Sequence, residues 1–358
     1  MKLVSFYLPQ YHEIPENNDA WGNGFTEWVN VKKSRPLFLG HRQPRVPLYN
    51  NYYNLLEQNV MEWQVHLART AGIYGFCFYH YWFGGKLVLE KPVKNLREWK
   101  HIHINYCFAW ANEPWTKTWH GAGGSREILI AQTYGREEEW EQHYQYFYSY
   151  FKDKRYIKEN NCPVLLIYRL KNIPGFNDMI RYWNKRAIQD GFSGIFLVSM
   201  NTCREHVEKS RWVSASVDFE PNRTKAELLG RESKRKPKEG KILWNRYAMK
   251  SISYDEINRT MLQRPHGKKQ FRTVFVDYDD SPRRSVSGVI TKGTSPGKFG
   301  RYLKQSMEAC RREGNEYLFI NAWNEWGEGN YLEPDTMYGY AYLNEIRKLM
   351  KTDFKEHI

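Results

Sequence analysis

The sequence predicts a single (β/α)8 barrel with long loops at the carboxyl ends of its strands, and three observations lead to this fold class. Short apolar and β-rich runs recur eight times, and segments with helical periodicity separate them. Polar and aromatic clusters directly follow most of these runs, which is where a barrel of parallel strands carries its functional loops. The length of 358 residues, without a long linker, suits an elaborated barrel. We therefore expect one catalytic domain over residues 1–358.

The predicted strands are spread along the whole chain. They are Leu3–Leu8, Ile73–Tyr79, His103–Ala109, Val164–Tyr168, Gly194–Ser199, Val213–Val217, Arg272–Val276 and Tyr317–Ile320. The clearest helical patterns between them cover residues 55–71, 137–151, 176–189 and 300–312. A doubly wound sheet is the structural alternative, but no G-x-G-x-x-G loop follows any of the strands.

The stretch that follows the last strand contains two glutamates, Glu325 and Glu328, between tryptophans and glycines. Carboxylates are costly to bury without partners, so a strand that ends in this way usually faces a ligand. Two carboxylates supply an acid and a base or nucleophile, and flat indole rings stack on sugars. We therefore predict carbohydrate chemistry with Glu325 and Glu328 as the catalytic pair. If Glu328 lies against Trp326, desolvation would raise its pKa and favour the acid role.

Simpler interpretations of these two glutamates remain open. One of them could cap the following helix or pair with Arg283 or Arg284. In the same way, Glu113 could be a turn residue before Pro114, His80 a satisfied core histidine, and Glu333 a residue that only holds its loop.

The sequence is rich in aromatic residues, which make up 16% of it and include 14 Trp and 26 Tyr. Many of these rings stand beside Asn, Glu, His or Gly and outside aliphatic runs, so we expect some of them to line a groove. The predicted substrate-binding residues are the polar and aromatic side chains at or after strand ends and in the first long loop. They are Tyr7, Gln10, His12, Trp21, Glu27, Trp28, His80, Tyr81, Trp82, Trp110, Asn112, Glu113, Asp279, Arg283, Arg284, Asn324, Trp326 and Glu333.

A metal site is not predicted, although one triplet raises the question. Asp277-Tyr278-Asp279 matches the Asp-x-Asp of metal-dependent transferases, but the triplet is common by chance. No His/Cys cluster of the zinc type is present in the sequence. We predict no metal and no cofactor. Arg283 and Arg284 are better candidates for an anionic group such as a phosphate or a uronic acid.

The formal net charge of +14 predicts attraction to an anionic partner. Part of the charge lies in Arg231–Lys241, for which a solvated charge run is the simplest interpretation and contact with an anionic lipid leaflet or a diphosphate the alternative. No nucleic-acid recognition element is recognisable, so we predict no nucleic-acid partner.

The compartment is predicted from three features. The apolar run at Lys2–Leu8 is too short for a targeting segment, nothing reaches the length of a membrane span, and the five cysteines are scattered. Scattered cysteines suit a reduced compartment. The sequence thus predicts a cytoplasmic protein, and peripheral association with the inner membrane surface stays open because of the charge.

Several motifs together resemble the WbsX-type family, assigned as glycosyltransferases of O-antigen and capsule gene clusters. This family in turn resembles the glycoside hydrolase family 99 endo-mannosidase barrel. The resemblance runs from the first strand to Leu343. The motifs that carry it are Tyr7–His12, Gly24–Trp28, Phe78–Phe83, Trp110–Glu113, Asp280–Arg284, Asn321–Gly329 and Tyr331–Asp335.

The resemblance implies roles for the Glu-x-x-Glu pair. Glu325 would assist a neighbouring sugar hydroxyl, and Glu328 would act as acid and then as base. The related hydrolases carry His before their second Glu, whereas this chain has Gly327.

The resemblance also implies an activity: a glycosyltransferase of bacterial surface polysaccharide synthesis, for O-antigen, lipopolysaccharide or capsule. Its partners would be an oligosaccharide or polysaccharide substrate and a lipid-linked or nucleotide-sugar donor. The alternatives are a retaining endo-glycosidase or transglycosidase on a mannose-like polysaccharide, and a barrel that binds glycans without catalysis.

Overall fold

Eight parallel strands close into a barrel in the computed structural model, which describes residues 1–117, 127–202, 210–232 and 249–355. Strand β1 (Lys2–Tyr7) pairs with both β2 (Gly75–Phe83) and β8 (Tyr317–Asn321), and this double pairing closes the ring. The other barrel strands are β3 (Asn105–Trp110), β4 (Cys162–Ile167), β5 (Phe196–Asn201), β6 (Ala215–Asp218) and β7 (Gln270–Phe275). Each is parallel to its neighbours, so the predicted (β/α)8 fold is confirmed. The charge run Arg231–Lys241 lies outside the described residues, apart from its first two positions.

Helices follow the strands, and long loops carry several shorter elements. The helices are α1 (Pro15–Trp21), α2 (Glu27–Lys33), α3 (Gln58–Ala71), α4 (Lys91–Glu98), α5 (Glu137–Phe151), α6 (Phe176–Gln189), α7 (Asn222–Glu232), α8 (Tyr254–Gln263), α9 (Ser281–Arg284), α10 (Pro296–Arg312) and α11 (Ala341–Lys355). Short strands outside the barrel are Lys86–Val88, Trp115–Thr116, Ile128–Ile130, Lys158–Glu159, Lys250–Ser253, Val289–Lys292, Asn324–Glu325 and Asn330–Tyr331. Within the described residues, no helix has both the length and the apolar character that a bilayer span needs.

Helix boundaries follow the local sequence signals. Helices α5 and α6 have the predicted bounds. Helix α10 begins at Pro296, ahead of the predicted Gly300, because Ser295 provides an N-cap whose hydroxyl accepts from the Lys298 N–H. Pro at the first helical position is favoured since its missing N–H would have no partner there.

Aromatic rings fill the interior of the barrel beneath its carboxyl face. Phe6 on β1 stacks on Tyr79 of β2 at 5.9 Å and on Phe319 of β8 at 5.4 Å, and it meets Phe219 edge-on at 5.4 Å. Phe6 thus contacts rings from both neighbouring strands and from the segment after β6, so this part of the barrel interior is a packed core.

Strand β2 is longer than predicted. It continues through residues 80–83 because it turns at Gly84 and Gly85 and pairs with the antiparallel strand Lys86–Val88. Both glycines have positive φ, which suits a tight turn. Residues 80–83 were expected to form one loop cluster. Because side chains alternate along a strand, they point instead to two opposite faces of β2.

Candidate active site

A short hairpin carries both glutamates at the carboxyl end of the barrel. Asn324–Glu325 pairs with Asn330–Tyr331, and a 3-10 turn at the tip contains Glu328. The side-chain amide of Asn324 accepts from the Leu8 N–H at 2.8 Å and donates to the Leu8 carbonyl at 3.0 Å. The predicted ligand-binding residue Asn324 thus anchors the hairpin to the end of β1.

One guanidinium group binds three carboxylates at the centre of this site. The Arg283 side chain donates from Nε to Glu27 Oε1 at 2.9 Å, from Nη2 to Glu325 Oε2 at 3.0 Å and from Nη1 to Glu328 Oε1 at 2.8 Å. Helix α9 supplies Arg283, and helix α2 supplies Glu27 from the first long loop. The loop therefore folds over the carboxyl face, as the sequence predicts. Both catalytic candidates pair with Arg283, as the simpler ion-pair interpretation predicts.

Burial differs among the three carboxylates. The Glu27 side chain is fully buried, that of Glu325 is 8% exposed, and that of Glu328 is 21% exposed. Burial raises the pKa of Glu325 to about 8; Arg283 opposes this shift, and the neighbouring glutamates add to it. Burial also raises the pKa of Glu27 against the opposing charge of Arg283. Three acids share one cation, and this shortage of positive charge disfavours the simultaneous ionisation of all three.

Gly327 makes room for this arrangement. A Cβ atom at position 327 would lie 1.8 Å from Glu27 Oε1 and 2.8 Å from Arg283 Nε. Glu27 and Arg283 therefore occupy the space that any larger residue between the two glutamates would need.

The hairpin forms one wall of a pocket of about 300 Å³. Its aromatic lining is Tyr79, Tyr81, Trp115, Tyr168 and Phe219. Its polar and charged lining is Glu113, Thr116, Asn222, Arg284, Glu325 and Glu328. Rings for stacking next to two carboxyl groups suit a sugar, whose C–H faces are apolar and whose hydroxyls need hydrogen-bond partners.

The structure places five predicted residues in the pocket and two directly behind it. Glu325, Glu328, Tyr81, Glu113 and Arg284 line the pocket. Glu27 and Arg283 contact its two glutamates from behind.

Sequence reasoning missed Tyr79, Trp115, Tyr168, Phe219 and Asn222. The last four lie in segments that follow strand ends, and Tyr79, which lies within β2, could have been found from its alternation with Tyr81.

His80 and Trp82 point away from the pocket, toward helix α5. His80 Nε2 lies 2.8 Å from His143 Nε2, and burial lowers the pKa of His80 to about 3. Trp82 stacks on His143 at 4.3 Å and donates to Glu139 at 3.2 Å. His80 is thus a core histidine, and the prediction that these two residues face the cleft was wrong because they alternate with Tyr79 and Tyr81.

A buried hydrogen-bond network holds Tyr7 and Glu333. Tyr7 donates to Gln64 Oε1 at 2.6 Å, and Gln64 donates to Glu333 Oε1 at 2.7 Å. Glu333 also accepts from Tyr53 and Trp326, at 2.8 and 2.7 Å. Burial raises the pKa of Glu333 to about 7 although these hydrogen bonds oppose it. Glu333 fixes its loop, and Tyr7 lies in the core.

Trp326 does not provide a sugar platform. Its ring stacks on Tyr331 with centroids 3.7 Å apart, and the residue is almost fully buried. The desolvation expected for Glu328 beside this ring instead affects Glu325, the less exposed carboxyl of the pair.

Three further predicted residues support the structure around the pocket. Trp28 donates to the Tyr53 carbonyl at 2.8 Å. Trp110 packs edge-on against the His143 ring at 4.7 Å. Asn112 accepts from the Arg169 N–H and donates to the Arg169 carbonyl, both at 2.8 Å. These residues hold loops in place and do not line the pocket.

The remaining residues of the first loop are also packed into the protein. Gln10 and His12 are buried, and burial together with the Lys91 charge lowers the pKa of His12 to about 4. Trp21 stacks on Phe25 at 4.8 Å.

Asp277 and Asp279 are occupied by cationic and polar side chains. Arg45 donates to Asp277 at 2.9 Å, and Asp279 lies 2.9 Å from His41 and accepts from Gln43 at 2.8 Å. Among the described residues, no group of three or more His, Cys, Asp or Glu side chains is arranged to hold a metal ion.

Comparison with solved structures shows the same fold in carbohydrate enzymes. The GH99 endo-α-mannosidase from Bacteroides thetaiotaomicron is 13% identical, with a TM-score of 0.60 over 99% of this chain and 97% of that chain. A protein described as glycoside hydrolase-like is 12% identical, with a TM-score of 0.57 over 97% and 93% of the two chains. At these identities the comparison establishes the fold.

Sequence comparison identifies closer relatives. Proteins called WxcX from two strains of Xanthomonas campestris pv. campestris are each 34% identical over 353 residues. The match covers 97% of this chain and 49% of theirs, so the chain spans about half the length of these curated relatives. The profile of the glycosyltransferase WbsX family matches residues 3–346. The chain belongs to the glycosyltransferase WbsX family of carbohydrate-active enzymes.

Proposed function

We propose that this chain is a glycosyltransferase of bacterial surface polysaccharide synthesis and that Glu325 and Glu328 are its catalytic residues. The observation that carries the proposal is the Glu-x-x-Glu hairpin, which presents both carboxyl groups to a ring-lined pocket at the carboxyl face of the barrel. Family membership favours transfer to an acceptor sugar.

The unlike environments of the two carboxyl groups support unlike roles. Glu328 is the more exposed, so it can reach the bridging oxygen and exchange protons there as acid and base. Glu325 is the more buried, and its raised pKa makes its carboxylate basic enough to draw on a sugar hydroxyl.

In the first step the hydroxyl next to the anomeric carbon attacks that carbon and passes its proton to Glu325. The bond to the leaving group breaks, and the leaving oxygen takes its proton from Glu328. In the second step the acceptor hydroxyl gives its proton to Glu328 and attacks the anomeric carbon. Glu325 returns its proton to the neighbouring oxygen, so both glutamates end as they began.

Among the residues that the structure describes, Arg284 is the cation that lines the pocket and could contact an anionic donor. Arg283 is committed to three carboxylates, whereas the Arg284 side chain lines the pocket and is 61% exposed. We assign to Arg284 the contact with the phosphate of a nucleotide-sugar or lipid-linked donor.

The second candidate is a retaining endo-glycosidase or transglycosidase on a mannose-like polysaccharide. The fold shared with the GH99 endo-α-mannosidase and the solvent exposure of Glu328 favour it. Water would then take the place of the acceptor hydroxyl in the second step.

Product mass spectrometry tests these proposals. Purified protein is mixed with lipid-linked oligosaccharide acceptors and pooled nucleotide sugars, and a parallel sample contains polysaccharide alone. Each is run with wild type, Glu328→Gln and the control Glu308→Gln, which changes a carboxylate on helix α10. A hexose-sized gain on the acceptor, lost only in Glu328→Gln, supports the transferase. Shortened polysaccharide without a donor supports the glycosidase, and sugar binding without turnover supports a non-catalytic barrel.

A further inference from the structure

Exposed apolar side chains cluster in two loops. Nine large hydrophobic residues are exposed among the residues that the structure describes, and five of them lie in segments 34–51 and 334–340. These five are Phe38, Leu39, Tyr49, Met337 and Tyr340. We call these two segments the paired-loop surface. Leu39 is fully exposed, and such a concentration of exposed apolar side chains marks an interaction site.

The two segments form one continuous surface. The Leu48 N–H donates to the Pro334 carbonyl at 3.0 Å, and Arg42 Nη1 donates to the Tyr338 hydroxyl at 2.5 Å. These contacts tie the two segments together, and Tyr49 and Tyr340, one from each segment, line the same surface depression.

Positive charge flanks the apolar side chains of the first segment. Residues 28–56 contain five Lys or Arg and no Asp or Glu. Arg45 is buried against Asp277, whereas Lys32, Lys33 and Arg35 are exposed. The one acid of the second segment, Asp335, is buried and accepts hydrogen bonds from Tyr331 and from two backbone N–H groups. No carboxylate of either segment therefore faces outward.

We infer that the paired-loop surface docks on an anionic lipid bilayer. Leu and Phe side chains at a loop tip can enter the boundary between headgroups and acyl chains, while flanking Lys and Arg bind lipid phosphates. Tyrosines such as Tyr49 and Tyr340 are suited to the headgroup level, where one end of the ring is wet. The cations and the apolar tip act together, since neither alone gives stable attachment.

The docking surface lies close to the candidate catalytic residues. His41 in the first segment lies 2.9 Å from Asp279 Oδ2, and the Asp279 N–H donates to the Glu328 carbonyl at 2.6 Å. Through His41 and Asp279 the first segment is thus joined to the hairpin that carries Glu328, and in this proposal the attached chain takes lipid-linked sugars from the same bilayer. This last step rests on the proposed function, whereas attachment to the bilayer does not.

Vesicle flotation tests the attachment. The chain is mixed with vesicles of phosphatidylcholine alone or with one part in three of phosphatidylglycerol. We expect flotation with the anionic vesicles and weak flotation with the neutral ones. The double variant Phe38→Ser/Leu39→Ser should bind about tenfold or more weakly. Lys32→Gln/Arg35→Gln should bind roughly tenfold more weakly and lose most of the salt dependence.

Matched controls change exposed residues elsewhere. Ile188→Ser, on helix α6, and Lys304→Gln, on helix α10, should bind as wild type does. Absence of wild-type flotation, equal flotation with both vesicle types, or undiminished flotation of either double variant would overturn the proposal. A dimer in sedimentation that Phe38→Ser/Leu39→Ser dissociates would also overturn it and assign the surface to a second copy of the chain.

A further assay separates this inference from the proposed function. Phe38→Ser/Leu39→Ser should turn over a water-soluble acceptor as wild type does and should be slower on the lipid-linked acceptor in vesicles. If wild type floats with anionic vesicles but transfers sugar to neither acceptor, the docking surface stands and the transferase proposal fails.

Discussion

Replacing Arg283 with Gln should destabilise the protein strongly. The change removes three charge-assisted hydrogen bonds, at 2.8, 2.9 and 3.0 Å, and leaves Glu27, Glu325 and Glu328 close together without a counterion. Breaking a buried ion pair from one side costs about 3–5 kcal/mol. For a chain of 358 residues, that loss lowers the thermal midpoint by roughly 4–7 °C.

The loss should depend on pH, and its sign follows from the carboxyl groups. Without Arg283, the folded-state pKa values of Glu27 and Glu325 rise further above the unfolded value of about 4.3. The folded variant then binds more protons than the unfolded chain, so its stability falls as pH rises from about 4.3 through the raised values. We expect a larger loss at about pH 8 than at about pH 5.

Urea unfolding followed by circular dichroism at the two pH values measures the effect. The control Arg284→Gln removes a neighbouring arginine that is 61% exposed and has a 3.3 Å contact to Asp280, so it should cost below about 1 kcal/mol. A loss for Arg283→Gln that is equally small, or that is the same at both pH values, would refute the idea that one cation stabilises three acids.

Three other predictions concern the pocket. The transfer rate should rise with pH with a midpoint near 8, because Glu325 must lose its proton to act on the sugar hydroxyl, and this rise should vanish in Glu325→Gln. Gly327→Ala should push Glu27 aside, cost about 1–3 kcal/mol in urea unfolding and slow transfer. Tyr81→Ala should raise KM about tenfold through lost stacking, whereas His80→Gln should cost about 1–3 kcal/mol of stability and leave KM unchanged.

Each of these three predictions has an outcome that would contradict it. A rate that falls through the same pH range would give Glu325 the acid role. Wild-type stability of Gly327→Ala would mean that Glu27 has another position available. A KM that responds to His80→Gln and not to Tyr81→Ala would place the substrate on the other face of β2.

The barrel could be predicted from local sequence, because its strands are apolar runs that are buried on both faces. The end of β2 could not be predicted in this way. Residues 80–83 are polar and aromatic. They form a strand because His80 pairs with Trp110 and residues 81–83 pair with Lys86–Val88. Because side chains alternate along a strand, Tyr81 reaches the pocket whereas His80 and Trp82 do not. A prediction that treats these residues as a loop cannot use this alternation.

The candidate site was predictable in outline, since Glu325, Glu328 and Tyr81 stand at strand ends. The sequence could not show which polar residues have hydrogen-bond partners in the core, because a hydrogen bond between distant residues leaves no local signal. Tyr7 is 57 positions from Gln64, and Gln64 is 269 from Glu333. Polar residues that such contacts satisfy look the same in the sequence as residues that bind a ligand.

Because Gly327 has no side chain, the residues that evolution can accept at positions 27, 283 and 327 depend on one another. Its Cβ position is within 3 Å of both Glu27 and Arg283, which are hundreds of positions apart from each other in sequence. A histidine at 327, as in the resembling hydrolases, would require a smaller residue at 27 and a new partner for the arginine. The three positions should therefore change together among homologous chains, and a single substitution toward the hydrolase motif should fail where the combined change succeeds.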